Sequence, residues 1–250
     1  TTSIMVNGTM WNLSISRLST DKHKITISDF CAKNDSQYLY ADGTVSADSI
    51  DIFKLSMTRI NIGRTLSVLK PAKKFGIQGL ASGYLSISSA LSKPAFYGSF
   101  QIEDFRFMDS YHGLLTADCR WNQQARQVEL DGLMVDEGVE TTGFSGIYIP
   151  QSKTIDVSLA ANHTDLRFLN TWTRTVFREL GGRATGNLRL FGSLPGLDLE
   201  GEAILEDGYF VQDAINSTFL IKHDTLWFEP GRMLFRDVEF YDEKGHDGIM

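Results

Sequence analysis

"GGRATGNLRLFGSLPGLDLEGEAILEDGYF", residues 181–210, decides the fold, because it carries a strand pattern and also one half of an internal repeat. Leu197, Leu199, Gly201, Ala203 and Leu205 alternate with Asp198, Glu200, Glu202 and Glu206, Ile204 being the exception. A period of two with one apolar and one charged side belongs to a half-buried strand. A worn copy stands earlier as "GLASGYLSISSALSKPAFYGSFQIEDFRF", residues 79–107. Gly79, Ala81, Gly83 and Leu85 match Gly182, Ala184, Gly186 and Leu188. Leu91, Gly98, Glu103, Asp104 and Phe107 match Leu194, Gly201, Glu206, Asp207 and Phe210, every pair 103 residues apart.

The offset extends beyond these segments: Ile25, Ile27, Gly43 and Ile52 map onto Val128, Leu130, Gly146 and Ile155. A third copy starts near residue 207 and is cut short, its offset grown to 106 (Asp118, Trp121 and Asp136 against Asp224, Trp227 and Asp242). The chain reads as one continuous array with units at about 1–103, 104–206 and a truncated 207–250. Long periods of this sort indicate stacked or continued architectures.

The alternation recurs in Ile25 and Ile27, in Val128 and Leu130, in Ile155, Val157 and Leu159, and in Ala184, Gly186, Leu188 and Leu190. "SADS", "NQQAR", "PQSK" and "EPGR" supply polar turns between strands. Short connections leave no room for parallel crossovers, so the expected fold is mainly β. It is an elongated, curved antiparallel sheet of about fourteen strands, six per unit. One segment per unit departs from the pattern. Leu166, Leu169, Trp172, Val176, Phe177 and Leu180 fall at helical spacing, Asp165 or Thr164 can cap the start, and Gly181 and Gly182 end it. That predicts a helix over about 165–180, with a weaker one over about 61–70 that Pro71 stops.

Composition excludes several function classes. A net charge of −7 and a pI near 5.2 lack the basic face that a nucleic-acid partner needs. No apolar run approaches the roughly 18 residues of a membrane span, and Thr1 begins no signal-peptide pattern. The chain reads as a soluble piece of something longer. Cys31 and Cys119 are too few for a disulfide framework, lack zinc-site spacing, and fall about five strands apart, so free thiols are expected.

No catalytic constellation emerges, and no metal or cofactor is expected. The five histidines, His23, His112, His163, His223 and His246, are scattered and read as solvated surface residues. "GFSGIY" around Ser145 has Ile147 where a nucleophile elbow needs glycine. The carboxylates of "ILEDG" and "YDEKGHDG" read as strand-end and turn residues, and the full calcium-loop pattern is missing. What stands out is an extended apolar face with little to cover it. Either the sheet curls until that face closes on itself as a filled core, or it leaves a concave apolar surface.

Residues 181–210 followed by "DTLWFEPGRMLFRDVEFYDEKGHDG" resemble the C-terminal repeat region of the TamB family, the AsmA-like translocation and assembly module proteins. Gly181, Gly182, Gly186, Leu188, Leu190, Gly192, Pro195, Leu197, Leu199 and Gly201 match its glycine-rich strand segment. Leu226, Phe228, Pro230, Phe235, Asp242 and Gly245 match its closing strand pair. The similarity is good over 150–250 and weaker over 75–150. It implies a taco-like β groove in a long periplasmic protein, held to the inner membrane by a segment outside this sequence and reaching a BamA-type outer-membrane protein. The function so implied is a non-enzymatic bridge that carries phospholipid acyl chains between the membranes. The alternative is a scaffold that templates outer-membrane proteins by β-augmentation. The expected groove lining is Ile25, Ile27, Val128, Leu130, Ile155, Val157, Leu159, Leu188, Leu190, Leu197, Leu199, Ala203 and Leu205.

Overall fold

The computed structural model describes residues 2–65, 76–108, 110–173, 178–193, 196–212, 217–242 and 245–249. Among them a single antiparallel sheet takes up nearly all of the chain. Its first part comprises β1 (Thr2–Val6), β2 (Thr9–Ser14), β3 (Arg17–Asp21), β4 (Lys24–Asn34), β5 (Gln37–Ser46), β6 (Ile52–Asn61), β7 (Gln78–Ser88) and β8 (Ala95–Phe107). The middle holds β9 (Ser110–Tyr111), β10 (Leu114–Asn122), β11 (Gln127–Asp136), β12 (Val139–Ile149) and β13 (Thr154–Asp165). The last part holds β14 (Glu179–Ser193), β15 (Gly196–Gln212), β16 (Ser217–Glu229), β17 (Arg232–Phe235), β18 (Glu239–Asp242) and β19 (Asp247–Ile249).

Strands pair in chain order. β2 and β3 both lie against β4, β9 and β10 against β8, and β17 and β18 against β16, so each pair acts as one interrupted rung. The result is an open meander with β1 and β19 at its two ends. Its sixteen rungs at ~4.8 Å each run some 70 Å. The accessible surface is 14624 Å², against roughly 11,000 Å² for a compact chain of this mass. The sheet is thus single and unclosed, which decides between the two forms the alternation left open.

Helix is nearly absent. The segment expected to be helical over 165–180 forms a 3₁₀ turn, Leu166–Leu169, and one α turn, Asn170–Thr173, here α2. Residues 174–177 lie outside the described residues. Chain pairing claims the rest: Leu180 lies opposite Phe210, so Gly181 and Gly182 belong to β14 and do not stop a helix. Asp165 caps the turn, its carboxylate accepting from the Arg167 backbone N–H at 2.8 Å. The weaker helix is present as one turn, α1 (Ile62–Thr65), and the remainder of the expected span, from residue 66 through Pro71, lies outside the described residues.

Directly opposed residues of antiparallel strands share a face. Ile27 opposes Gly43, Gly43 opposes Phe53, Phe53 opposes Ile87, and Leu85 opposes Gly98. Gly98 then opposes Cys119, which opposes Leu130, while Val128 opposes Tyr148 and Tyr148 opposes Ile155. Val157 opposes Leu190, Leu190 opposes Leu199, and Ala184 opposes Leu205. One apolar face therefore runs the length of the sheet. The other carries ion pairs such as Arg189 with Asp156 at 2.7 Å and with Glu200 at 2.8 Å.

Bulges interrupt the ladder at matching places. Registers shift between Ile27 and Phe30, Met57 and Ile60, and Ala161 and Thr164, and near the start of β7 (between Gln78 and Leu80) and of β14 (between Gly181 and Arg183). The bulged residues Asp29, Arg59 and His163 have φ near +50°. Each has its freed N–H accepted by an oxygen of the neighbouring strand: Asp42 Oδ2 at 3.2 Å, Ser82 Oγ at 2.9 Å and Thr185 Oγ1 at 3.0 Å. Such bulges bend a strand and strengthen its twist. At Gly79 (φ 143°) and Gly182 (φ 118°) only glycine fits, since a Cβ on Gly182 would stand 2.7 Å from Gly208 Cα. "ILEDG", expected at a strand end, is instead the middle of β15, where Asp207 takes φ 47°.

The core gathers where the 3₁₀ turn and α2 lie on the apolar face of β14–β16. Leu166, Leu169, Leu180, Leu205, Ile221, Leu226 and Val238 are almost wholly buried there. Phe210, Phe219 and Phe240 stack and meet edge-on beside them, with ring centroids 5.0–6.1 Å apart.

Candidate functional site

At the other end of the sheet the same face encloses space. A cavity of about 670 Å³ lies over β1–β8, within the range of about 300–1,000 Å³ common for small-molecule sites. Ile4 and Val6 of β1, Trp11 and Leu13 of β2, Phe30 and Ala32 of β4 and Leu39 of β5 line one side. Met57 and Ile60 of β6, Ala81 of β7 and Phe100 and Ile102 of β8 line the other, and Ile62 and Ile77 stand at its upper end.

The bulges build this lining. In β4 the odd residues Ile25 and Ile27 hold the apolar face below the bulge, and the even residues Phe30 and Ala32 hold it above. In β6 the face passes from Phe53, Leu55 and Met57 to Ile60 in the same way. Small residues at the floor leave the room: the buried apolar residues between β4 and β7 are Ala32, Ala41, Ile60 and Ala81.

A belt of side-chain amides closes the rim. Asn34 Nδ2 donates to the Met10 carbonyl at 2.7 Å, Gln37 Nε2 to Asn34 Oδ1 at 3.1 Å, and the Asn61 N–H to Gln37 Oε1 at 2.8 Å. Asn61 Oδ1 in turn accepts from the Arg64 N–H at 3.0 Å, and Asn7 Nδ2 donates to the Arg64 carbonyl at 3.3 Å. The belt ties β1, β2, β4, β5, β6 and α1 together, so an apolar interior ends in a polar, hydrogen-bonded mouth. Such an arrangement suits an amphiphile with its tail inside.

All thirteen expected lining residues lie on the apolar face, yet none borders the cavity. Leu188, Ala203 and Leu205 sit inside the packed core, and Val157 is buried beside it. Ile27, Val128, Leu130, Ile155, Leu159, Leu190, Leu197 and Leu199 are half-buried, and Ile25 is exposed. Phe30, Ala32 and Ile60 of the cavity lie beyond bulges that shift the alternation by one, whereas Trp11, Leu13, Leu39, Met57, Ala81, Phe100 and Ile102 follow it regularly. The signal for Phe30 and Ala32 was in the sequence: a polar residue, Asp29, breaks the apolar alternation between Ile27 and Phe30.

The surface reading of the histidines fails for His112, which is 6% exposed. Its ring lies 6.1 Å from that of Phe105 and 6.3 Å from that of Phe168, and its Nε2 has no hydrogen-bond partner. Burial pushes the imidazole pKa below its ordinary value. Cys31 faces the polar side and Cys119 the apolar side, five rungs apart, and both are free. No group of three or more potential metal ligands occurs among the described residues, and no helix there is long and apolar enough to cross a membrane. No protein-family model, curated protein or solved structure matches the chain.

Proposed function

We propose that the protein is a TamB-like lipid conduit: a non-enzymatic, periplasmic bridge whose curved, taco-like apolar face carries phospholipid acyl chains between inner and outer membranes. The observation that carries this reading is the continuity of that face through every rung, together with an amphiphile-sized cavity cut into it. Each methylene taken from water contributes about 0.8 kcal/mol, so an acyl chain can be held without a dedicated polar site.

The repeat of about 103 residues supports the same reading. β4 and β11, β7 and β14, and β8 and β15 stand six rungs apart and correspond at that offset. So do Gly79 and Gly182, Asp104 and Asp207, and the bulge acceptors Ser82 and Thr185. A unit that recurs with its β7 and β14 bulges in place prolongs one surface.

Extraction of the purified protein followed by mass spectrometry of the extract tests the reading. Phospholipid recovered in stoichiometric amount, and displaced by a fluorescent acyl probe, is the expected result; a protein free of lipid that also ignores the probe overturns it.

A further inference from the structure

The turn that fills the C-terminal part of the face is held by two different grips. On one side Leu166 and Leu169 enter the core, and Asn170 clamps β14, its Oδ1 accepting from the Leu180 N–H at 2.7 Å and its Nδ2 donating to the Leu180 carbonyl at 3.0 Å. The other side is Phe168, which rests against Phe107 at 6.4 Å and against His112. Two residues before His112, in β9, the Ser110 hydroxyl is fully buried and, like His112 Nε2, has no partner. A buried polar pair left unsatisfied is a weak point in an otherwise apolar contact.

We infer that this contact is an acid-released latch: protonation of His112 unseats the 3₁₀ turn and α2 from the sheet and uncovers the apolar face of β14–β16. An imidazolium at this position would be a charge among phenyl rings with no acceptor on Nε2. The charged groups that act on the ring are Asp165 and Arg167 from the turn and Asp136 from the end of β11. Asp165 is already engaged by the Arg167 guanidinium, so its carboxylate does little to hold a second cation. Burial outweighs the carboxylates, and the ring stays neutral when the turn is seated.

The sign follows from proton counting. The seated state binds a proton only below the depressed pKa, whereas the released state binds it near the ordinary value of about 6.5. Release is therefore favoured as pH falls through about 6.5, by at most about tenfold per pH unit for one proton, until the depressed pKa is passed. The His246–Asp242 pair does not imitate this: the histidine has its pKa raised, so acid strengthens that contact. The latch is independent of what the face carries.

Hydrogen exchange of residues 166–173, corrected for the intrinsic effect of pH, tests it on the intact chain. From pH 7.5 to 5.5 the wild type is expected to lose protection there severalfold while the strands β4–β8 keep theirs. His112→Phe, which keeps an aromatic ring against Phe168, is expected to hold the segment closed at both pH values, and His163→Gln to behave as wild type. An unchanged wild-type segment, or equal loss in His112→Phe, overturns the latch. Should His112→Phe not fold, imidazole resonances of the wild type decide: titration of His112 below 6.5 together with Phe168 supports the latch, and titration at or above 6.5 refutes it.

Discussion

Over β1–β8 and over β14–β18 the sheet presents the same apolar face, but the first region borders a cavity of about 670 Å³ and the second gathers the packed core beneath the 3₁₀ turn, the nearest open space being a shallow, more polar depression of about 700 Å³ over β11–β15. Rung geometry does not make the difference, because bulges and strand pairing recur in both. Side-chain size and one inserted turn do. The buried apolar residues of β4–β7 are Ala32, Ala41, Ile60 and Ala81, whereas the second packs Leu180, Leu205, Phe210, Ile221, Leu226 and Phe228 beneath Leu166 and Leu169. A continuous sheet can thus be cavity or core by local choice of side chain.

Leu205→Asp breaks the comparison most severely. Leu205 is 0% exposed, and an unpaired carboxylate there costs several kcal/mol, enough to unfold β14–β16. Far-UV circular dichroism should show loss of strand signal at room temperature, and a variant melting like wild type would mean the core is wet. Asn170→Ala comes next, because it strands both backbone groups of Leu180 at about 1–3 kcal/mol each. Thermal melting should fall clearly, with exchange concentrated in residues 166–173.

Met57→Asp sharpens the contrast from the other side. Met57 is half-buried in the cavity wall, so its carboxylate keeps water and the melting temperature drops only modestly, while binding of an acyl probe is lost. A collapse equal to that of Leu205→Asp would show the cavity to be core. The smallest effect belongs to Glu200→Leu on the polar face. It removes one of two carboxylates on Arg189 and should leave melting and probe binding unchanged while lowering solubility.

The face was legible in the sequence because side-chain direction in a strand depends only on parity, and all thirteen residues chosen for alternation do share it. Parity fails where a bulge adds a residue, so Phe30, Ala32 and Ile60 were invisible to it. Helical spacing misled differently. Leu166, Leu169 and Leu180 each meet the core, but Leu180 does so from β14, where pairing with Phe210 outweighs a helical pattern rich in threonine. His112 could not be read at all, since its burial depends on a turn more than fifty residues further along the chain.

The meander has a consequence for how the chain comes together. Each rung bonds only to the rungs before and after it in sequence, so no strand waits for a distant partner. Contacts of short sequence separation form early and keep the cost of loop closure low. Every hairpin can settle on the one before it as the polypeptide emerges, and tension applied to the two ends would peel the sheet one rung at a time.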